Sequence, residues 1–246
     1  ILTPNEKNFL LKHHFDLNSP QLQTDIPVEY LVGKAVFRSL DFFVTTDTLI
    51  PRIETEQLVD LALENITHNF TSSKKIIIAD ICTGSGCIGI SLATELLKAK
   101  YDFHLYMSDI SQEALKIAKK NYQNLLPKNL EQVTFIESDL YSNYPKNINI
   151  DLVITNPPYI PTNRINNLDN SVKNYEPIIA LDGGSDGTKF INSIIDSLPV
   201  FQKRINAIIE IDDSHNLGHI KKSESYKLSL IKDTFGVNRF LSLNSF

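Results

Sequence analysis

Residues 76–89 read Ile76-Ile77-Ile78-Ala79-Asp80-Ile81-Cys82-Thr83-Gly84-Ser85-Gly86-Cys87-Ile88-Gly89. The run Ile76-Ile77-Ile78-Ala79 is apolar at every position, the pattern of a strand covered on both faces. Glycines follow at once, and residues 88–99 then read as a helix. Buried strand, glycine turn and helix make the opening of a βαβ layout. Glycines in such a turn let the backbone pass close under a ligand without side-chain clash.

Downstream, the same alternation repeats. Leu105-Tyr106-Met107 reads as a strand ending at Ser108-Asp109. Ser111 is placed to cap a helix that carries Glu113 in its first turn and runs through Leu115, Ala118 and Tyr122. Val133-Thr134-Phe135-Ile136 is a third strand, ending at Ser138-Asp139. The fourth, Leu152-Val153-Ile154-Thr155, runs into Asn156-Pro157-Pro158-Tyr159. Residues 162–176 read as a polar, irregular flap, and residues 181–187 as a glycine turn before a helix over 188–198. Ala207-Ile208-Ile209-Glu210-Ile211 is a fifth strand; the remainder supplies one more helix and two strands, over 226–231 and 239–243. Strands alternating with helices predict an α/β fold with a doubly wound, mostly parallel, Rossmann-like sheet.

Upstream, the chain changes character. A helix is expected over residues 5–15 with Pro4 in its first turn, a break at Asn18-Ser19-Pro20, and a short helical turn over 27–33 ended by Gly33. Val36-Phe37 and Phe42-Phe43-Val44 flank Arg38-Ser39, which predicts a β-hairpin. Thr55 or Glu54 is the expected cap of a helix through Asn65. The reading therefore divides the chain into a small N-terminal helical piece (1–35), a hairpin linker (36–50) and the main domain (51–246).

Composition narrows the classes. The 246 residues are 42% hydrophobic and 22% charged, ordinary for a globular chain, with a net charge of −5. That balance gives no broad basic footprint for nucleic acid, so direct nucleic-acid binding is not expected. No apolar run is long enough to span a membrane, and Ile1-Leu2-Thr3-Pro4 does not open a secretory signal, so a cytoplasmic location is expected. Met107 is the only methionine, which suggests a trimmed start. Cys82 and Cys87 form no Cys-x-x-Cys pair and lack nearby histidines; they are read as small buried residues, and no metal site is expected.

In doubly wound sheets, ligands bind outside the carboxyl ends of the strands. Four polar signals fall there: the glycine loop, Asp109, Asp139 and Asn156. Asp109, about 20 residues past the last glycine, is placed to accept hydrogen bonds from ribose hydroxyls. Asp139 is a candidate partner for an adenine amino group. Taken singly, each aspartate reads equally as a loop or cap residue; their agreement carries the argument. At the fourth strand end, two prolines stop the ladder and hold Asn156 in extended geometry. The Asn156 amide oxygen and the Pro157 carbonyl are two acceptors suited to a planar –NH2 group. Tyr159 offers a ring to lie against it.

Gly84, Gly86 and Gly89 also match the glycine fingerprint of NAD-binding folds, which keeps a dehydrogenase as a rival. Against it, Asp80 places a carboxylate near the loop, and no His or Lys/Tyr pair stands out as a hydride-transfer acid. A cofactor-binding module without catalysis is a further alternative, disfavoured by the intact Asn156–Tyr159 stretch.

Asp80-Ile81-Cys82-Thr83-Gly84-Ser85-Gly86-Cys87-Ile88-Gly89 resembles the first motif of class I S-adenosylmethionine methyltransferases, and Asn156-Pro157-Pro158-Tyr159 resembles their amino-methylating motif. The latter is shared with adenine-N6 and cytosine-N4 nucleic-acid methyltransferases. Pro51-Arg52-Ile53-Glu54-Thr55-Glu56, Tyr175-Glu176-Pro177, Ala180-Leu181-Asp182-Gly183-Gly184-Ser185-Asp186-Gly187 and Tyr30-Leu31-Val32-Gly33 narrow the resemblance to the release-factor glutamine methyltransferase family. It implies S-adenosylmethionine held by Asp80, Thr83, Gly84, Ser85, Gly86, Asp109, Ile110, Asp139, Leu140 and Asn156. It implies Asn156, Pro157 and Tyr159 as catalytic residues, with Pro158, Arg52 and Glu54 beside them on the substrate. The implied substrate is the glutamine of a Gly-Gly-Gln loop in peptide-chain release factors, methylated by a monomer. The chain departs from the family at Ile53, usually proline; at Asp212, usually glycine; in the glycine-free turn 202–206; and in a short N-terminal region, proposed to dock the substrate.

Overall fold

The computed structural model describes residues 2–198, 205–222 and 224–245. It opens with α1 (Pro4–Lys12), fixed by a capping box in which Thr3 and Glu6 satisfy each other's backbone N–H groups. The helix stops at Lys12 rather than at residue 15. His14 adopts a left-handed conformation (φ 58°) and the Phe15 N–H turns back to the Leu10 carbonyl, which closes the helix end. α2 (Val28–Val32) ends on left-handed Gly33. The hairpin pairs β1 (Lys34–Phe37) with β2 (Leu40–Phe43) around Arg38 and Ser39, both at positive φ as a tight two-residue turn requires. It ends at Phe43; Thr45 and Thr48 then form a separate turn.

α3 (Glu56–Asn69) runs a turn past the expected end because Leu58, Val59, Ala62 and Ile66 keep burying one face. The main sheet follows: β3 (Ile76–Ile81), α4 (Cys87–Lys98), β4 (Phe103–Asp109), α5 (Gln112–Leu125), β5 (Val133–Glu137), β6 (Leu152–Thr155), α6 (Asn170–Lys173), α7 (Lys189–Ser197), β7 (Asn206–Glu210), β8 (Tyr226–Lys232) and β9 (Asn238–Ser245). Strand order is β5-β4-β3-β6-β7-β9-β8; the first five are parallel and β9 runs antiparallel between β7 and β8. Ser111 caps α5 through the Ala114 N–H, as its position predicts.

Strand alternation divides the core. Ile76 and Ile78 face α3, α4 and α5, while Ala79 and Ile81 face α7. The chain winds one way from β3 to β4 and β5, then returns to place β6 on the other side of β3. The crevice opens at that reversal, outside the carboxyl ends.

Two expectations change here. The flap over 162–176 is not irregular throughout: it holds 3₁₀ turns and α6. Residues 212–222 form turns instead of a further helix. Asp212 and Asn216 accept backbone N–H groups two residues on, from Ser214 and Gly218, and so compete with helix hydrogen bonding. Of the glycine-free turn, residues 202–204 lie outside the described residues. No helix among the described residues is long and apolar enough to cross a membrane.

Candidate active site

One cavity lies at the four strand ends. Thr83, Gly84 and Ser85 line it from β3, Asp109 and Ile110 from β4, Asp139 and Leu140 from β5, and Asn156 and Pro158 from β6. Arg52 and Thr55, ahead of α3, and Ile179 and Phe190 are also in the wall.

The loop after β3 is held from below by Asp80, whose Oδ2 accepts from Thr83 Oγ1 (2.6 Å) and the Gly89 N–H (3.0 Å). Asp80 is fully buried and does not line the cavity, which corrects its expected place beside the cofactor. Strand alternation turns it toward α4, where a Cβ at position 89 would sit 2.7 Å from its Oδ2. Burial pushes its carboxyl up to about 7, against the two hydrogen bonds, and Oδ1 has no hydrogen-bond partner among the described residues. Gly86 is also absent from the wall. It takes φ 84°, and a Cβ there would meet Ile90 and Met107 at 2.9 Å.

Asp109 closes the loop from the β4 side. Its Oδ2 accepts the Gly84 N–H and its Oδ1 the Ser111 N–H, both at 2.9 Å. Burial raises its pKa, while the N–H groups of Ser111, Gly84 and Ile110 hold it down. Cys82 (φ 56°) and Leu140 (φ 48°) occupy left-handed conformations at the cavity edge, the kind of stored strain that gathers at functional sites. Cys82 is half-buried: it packs against the core on the α7 side and also lines the cavity.

The wall around Asn156 is assembled from distant segments. Asn156 Nδ2 donates to Thr55 Oγ1 (3.3 Å), so the amide oxygen is the end left for another partner. Thr55 makes no cap hydrogen bond; its backbone is already helical, which corrects its expected role. Tyr159 lies outside the cavity wall: its hydroxyl donates to Glu210 Oε1 (3.1 Å) and its ring packs on the α7 side of the core. Pro157 is buried and likewise outside the wall, while Pro158 is in it. Behind this turn, the Ile160 N–H donates to the Leu181 carbonyl and the Gly183 N–H to the Ile160 carbonyl. Gly187 passes so close that a Cβ would overlap the Tyr159 carbonyl oxygen.

Arg52 Nη2 lies 2.6 Å from Glu176 Oε1, and the Ile50 N–H donates to Glu176 Oε2 (3.3 Å). Glu54 does not reach this cavity. It lines a second one, shared with Arg52, Glu29 and Glu176, between the N-terminal helices, the segment ahead of α3 and the flap around α6. Asp212 is tied to the flap by Arg164 Nη1 at 2.6 Å.

Sequence reasoning missed the parts of Thr55 and Glu210. Glu210 is 1% exposed, and burial pushes its carboxyl up to about 7. Its signal was a lone charge ending the otherwise apolar run Ala207-Ile208-Ile209.

The family model described as the methyltransferase small domain matches residues 53–170. Among solved structures, the catalytic domain of hMettl16 in complex with MAT2A 3'UTR hairpin 1 has a TM-score of 0.61 at 16% identity, covering 84% of this chain and 75% of that one. A ribosomal protein L11 methylase from Lactobacillus delbrueckii subsp. bulgaricus has a TM-score of 0.53 at 17% identity, covering 79% and 80%. Both show the fold. Curated relatives are much nearer in sequence. The release factor glutamine methyltransferase of Bacillus cereus is 41% identical over 188 residues, 76% of this chain and 63% of the relative, so the chain spans less than two thirds of that protein's length. The one from Clostridium acetobutylicum is 38% identical over 88% of this chain and 73% of its own, and that of Bacillus subtilis 31% identical over 94% and 78%. With its glycine loop, its Asn-Pro-Pro-Tyr turn and these relatives, the chain belongs to the release factor glutamine methyltransferase family.

Proposed function

We propose that the chain transfers a methyl group from S-adenosylmethionine to the side-chain amide nitrogen of the glutamine in the Gly-Gly-Gln loop of peptide-chain release factors. The observation that carries this reading is that Asn156 shares one cavity with the glycine loop, Asp109 and Asp139.

The residues fit the donor. Gly84 has no atom within 4 Å of where a Cβ would project, leaving room for a ligand against the loop. Asp109 keeps acceptor capacity beyond its two backbone bonds and suits vicinal ribose hydroxyls. Ile110 and Leu140 are apolar flanks for a purine, with Asp139 to meet its amino group and Thr83 and Ser85 beside the loop. When bound, S-adenosylmethionine supplies an electrophilic methyl group.

The chain's own task is to present the acceptor. Asn156 Oδ1 accepts one N–H bond of the glutamine amide and turns its nitrogen toward the donor; the carbonyl of the neighbouring Pro157, outside the wall as described, is the second acceptor once the amide has seated. Two acceptors also favour the positive charge that develops on that nitrogen. No general base is needed before attack. Tyr159 acts by bracing this turn through Glu210 instead of lying on the amide plane. Arg52, held by Glu176, closes the rim, and the second cavity with Glu54 is the side on which residues 2–35 meet the release factor. The enzyme works as a cytoplasmic monomer without binding nucleic acid directly.

Incubation with labelled S-adenosylmethionine and either a folded release factor or DNA tests this. Label is expected on the release factor and should vanish when its loop glutamine is changed to alanine. Label on DNA adenine or cytosine would overturn the substrate assignment and leave the fold standing.

A further inference from the structure

The flap over residues 162–176 has little apolar packing to hold it. Ile165 and Glu176 are its only buried residues, so its position depends on polar ties. Those that leave the flap, among the described residues, are few. Thr162 bonds the turn behind it, through its N–H to the Gly184 carbonyl and its hydroxyl to Asp182 Oδ1. Asn170 Nδ2 donates to Asp25 Oδ2 (3.2 Å), in the N-terminal piece. Glu176 takes Arg52 and the Ile50 N–H. Arg164 Nη1 lies 2.6 Å from Oδ1 of Asp212, just past the end of β7.

This last contact is asymmetric. The Asp212 side chain is 7% exposed and that of Arg164 46%. Asp212 Oδ1 also accepts the Ser214 N–H (3.0 Å) and the Ser214 hydroxyl, bonds that fix the carboxylate whether or not Arg164 is there. A charge-assisted bond to such a carboxylate is strong, yet an exposed arginine can leave it without unfolding anything else. The end of β7 thus grips the chain twice. Glu210 holds Tyr159 (3.1 Å), in the Asn156 turn, and Asp212 holds Arg164, in the flap. The grips are separate, so the second can open while the first stays closed.

What the flap carries decides what opening does. Ser171, Val172 and Glu176 line the second cavity, and Glu176 holds Arg52, which lines both. Asn156, Asp109 and the glycine loop are held by bonds that do not pass through the flap.

We propose that Arg164 and Asp212 are positioning residues: their ion pair latches the flap against the end of β7 and so sets the affinity for the acceptor protein, without touching the reacting groups. The identity of that acceptor rests on the proposed glutamine reading; the latch rests on the contacts. An unlatched flap is in place only part of the time, and apparent affinity falls by that fraction.

The test measures kcat and KM for a folded release factor, the S-adenosylhomocysteine dissociation constant, and trypsin cleavage after Lys173, in the flap, relative to cleavage after Lys116, within α5. Arg164→Gln should raise KM about 5- to 20-fold, the inverse of the fraction of time the flap stays in place. Its kcat and cofactor affinity should stay within about twofold of the wild type, as when binding alone is lost. Cleavage after Lys173 should quicken severalfold, since cutting follows the population of the open segment. Arg164→Lys, which keeps a cation in reach, should restore KM. Asp212→Asn should match Arg164→Gln, and the double variant should be no worse than either single one. Wild-type KM or unchanged Lys173 cleavage in Arg164→Gln, an equal loss in Arg164→Lys, or losses that add in the double variant would overturn the latch. Cleavage after Lys173 needs no acceptor and reads the latch whatever the enzyme methylates. Failure of the glutamine reading shows separately, as wild-type protein that leaves the release factor unlabelled.

Discussion

The two sides of the cavity are built on different principles. The donor side, from β3 to β5, rests on shorter side-chain spans, three and nine residues at Asp80 and 25 from Asp109 back to Gly84. Asp80 holds Thr83 and Gly89, and Asp109 holds Gly84 and Ser111 through backbone N–H groups. The acceptor side is wired across the chain. Asn156 and Thr55 are 101 residues apart, Tyr159 and Glu210 are 51, and Arg52 and Glu176 are 124. Each side contains one buried carboxyl pushed up to about 7, Asp80 on one and Glu210 on the other, each with one oxygen that has no hydrogen-bond partner among the described residues. The electrostatics are alike; what differs is reach. The donor loop needs β3, α4 and the β4 and α5 that follow them in the chain, whereas the acceptor side exists only when α3, β6, β7 and the turn over 176–187 have docked together.

The largest expected effect separates the two sides. Asn156→Ala should cut kcat by about 10²–10³, comparable with removing one preorganised group that stabilises developing charge, and should do so at saturating cofactor. An unchanged kcat would make the Asn156 turn a structural one.

Long-range wiring also predicts a stability cost. Arg52→Ala leaves the Glu176 carboxylate, whose side chain is 1% exposed, without its cation. Breaking such a pair costs about 3 kcal/mol, read as a shift in denaturant midpoint, and Glu176→Gln in the same chain should recover part of it. If the double variant is no better than the single, the pair does not link these segments.

The matched carboxyls predict a pH slope. Asp80 and Glu210 keep their protons in the folded state up to about 7, while in the unfolded chain they lose them near 4. Over that window the folded state binds more protons, so stability falls as pH rises, by up to about 1.4 kcal/mol per pH unit for each group. Asp80→Asn and Glu210→Gln should each flatten the slope of unfolding free energy against pH. A slope untouched by both would show that neither carboxyl is protonated in the fold.

The same contrast explains what the sequence reveals. Apolar runs with strand period, the glycine turn, the Ser111 cap and the aspartates after β4 and β5 are local signals, and each lies where its neighbours dictate. Their wall of the cavity was legible to within a residue or two, apart from Asp80, whose direction depends on the pleat, and Gly86, which packs against Ile90 and Met107. Tyr159 was misplaced because its partner, Glu210, lies a strand away, and Thr55 because a helix-start threonine reads as a cap until Asn156 is folded against it. The resemblance carried by Arg52, Glu176 and Gly183–Gly187 marked those segments without saying what they touch. Only docking brings Arg52 to Glu176 and seats Gly187 against Tyr159.

Calorimetric titration of S-adenosylhomocysteine into the wild type, Asp109→Ala and Asn156→Ala tests the division of the cavity most directly. The division predicts that Asp109→Ala weakens binding by about 1–3 kcal/mol, the scale of lost hydrogen bonds to a charged acceptor, while Asn156→Ala binds as the wild type does. Tight binding of NADH with no heat from S-adenosylhomocysteine, or weakening in Asn156→Ala with none in Asp109→Ala, would contradict it.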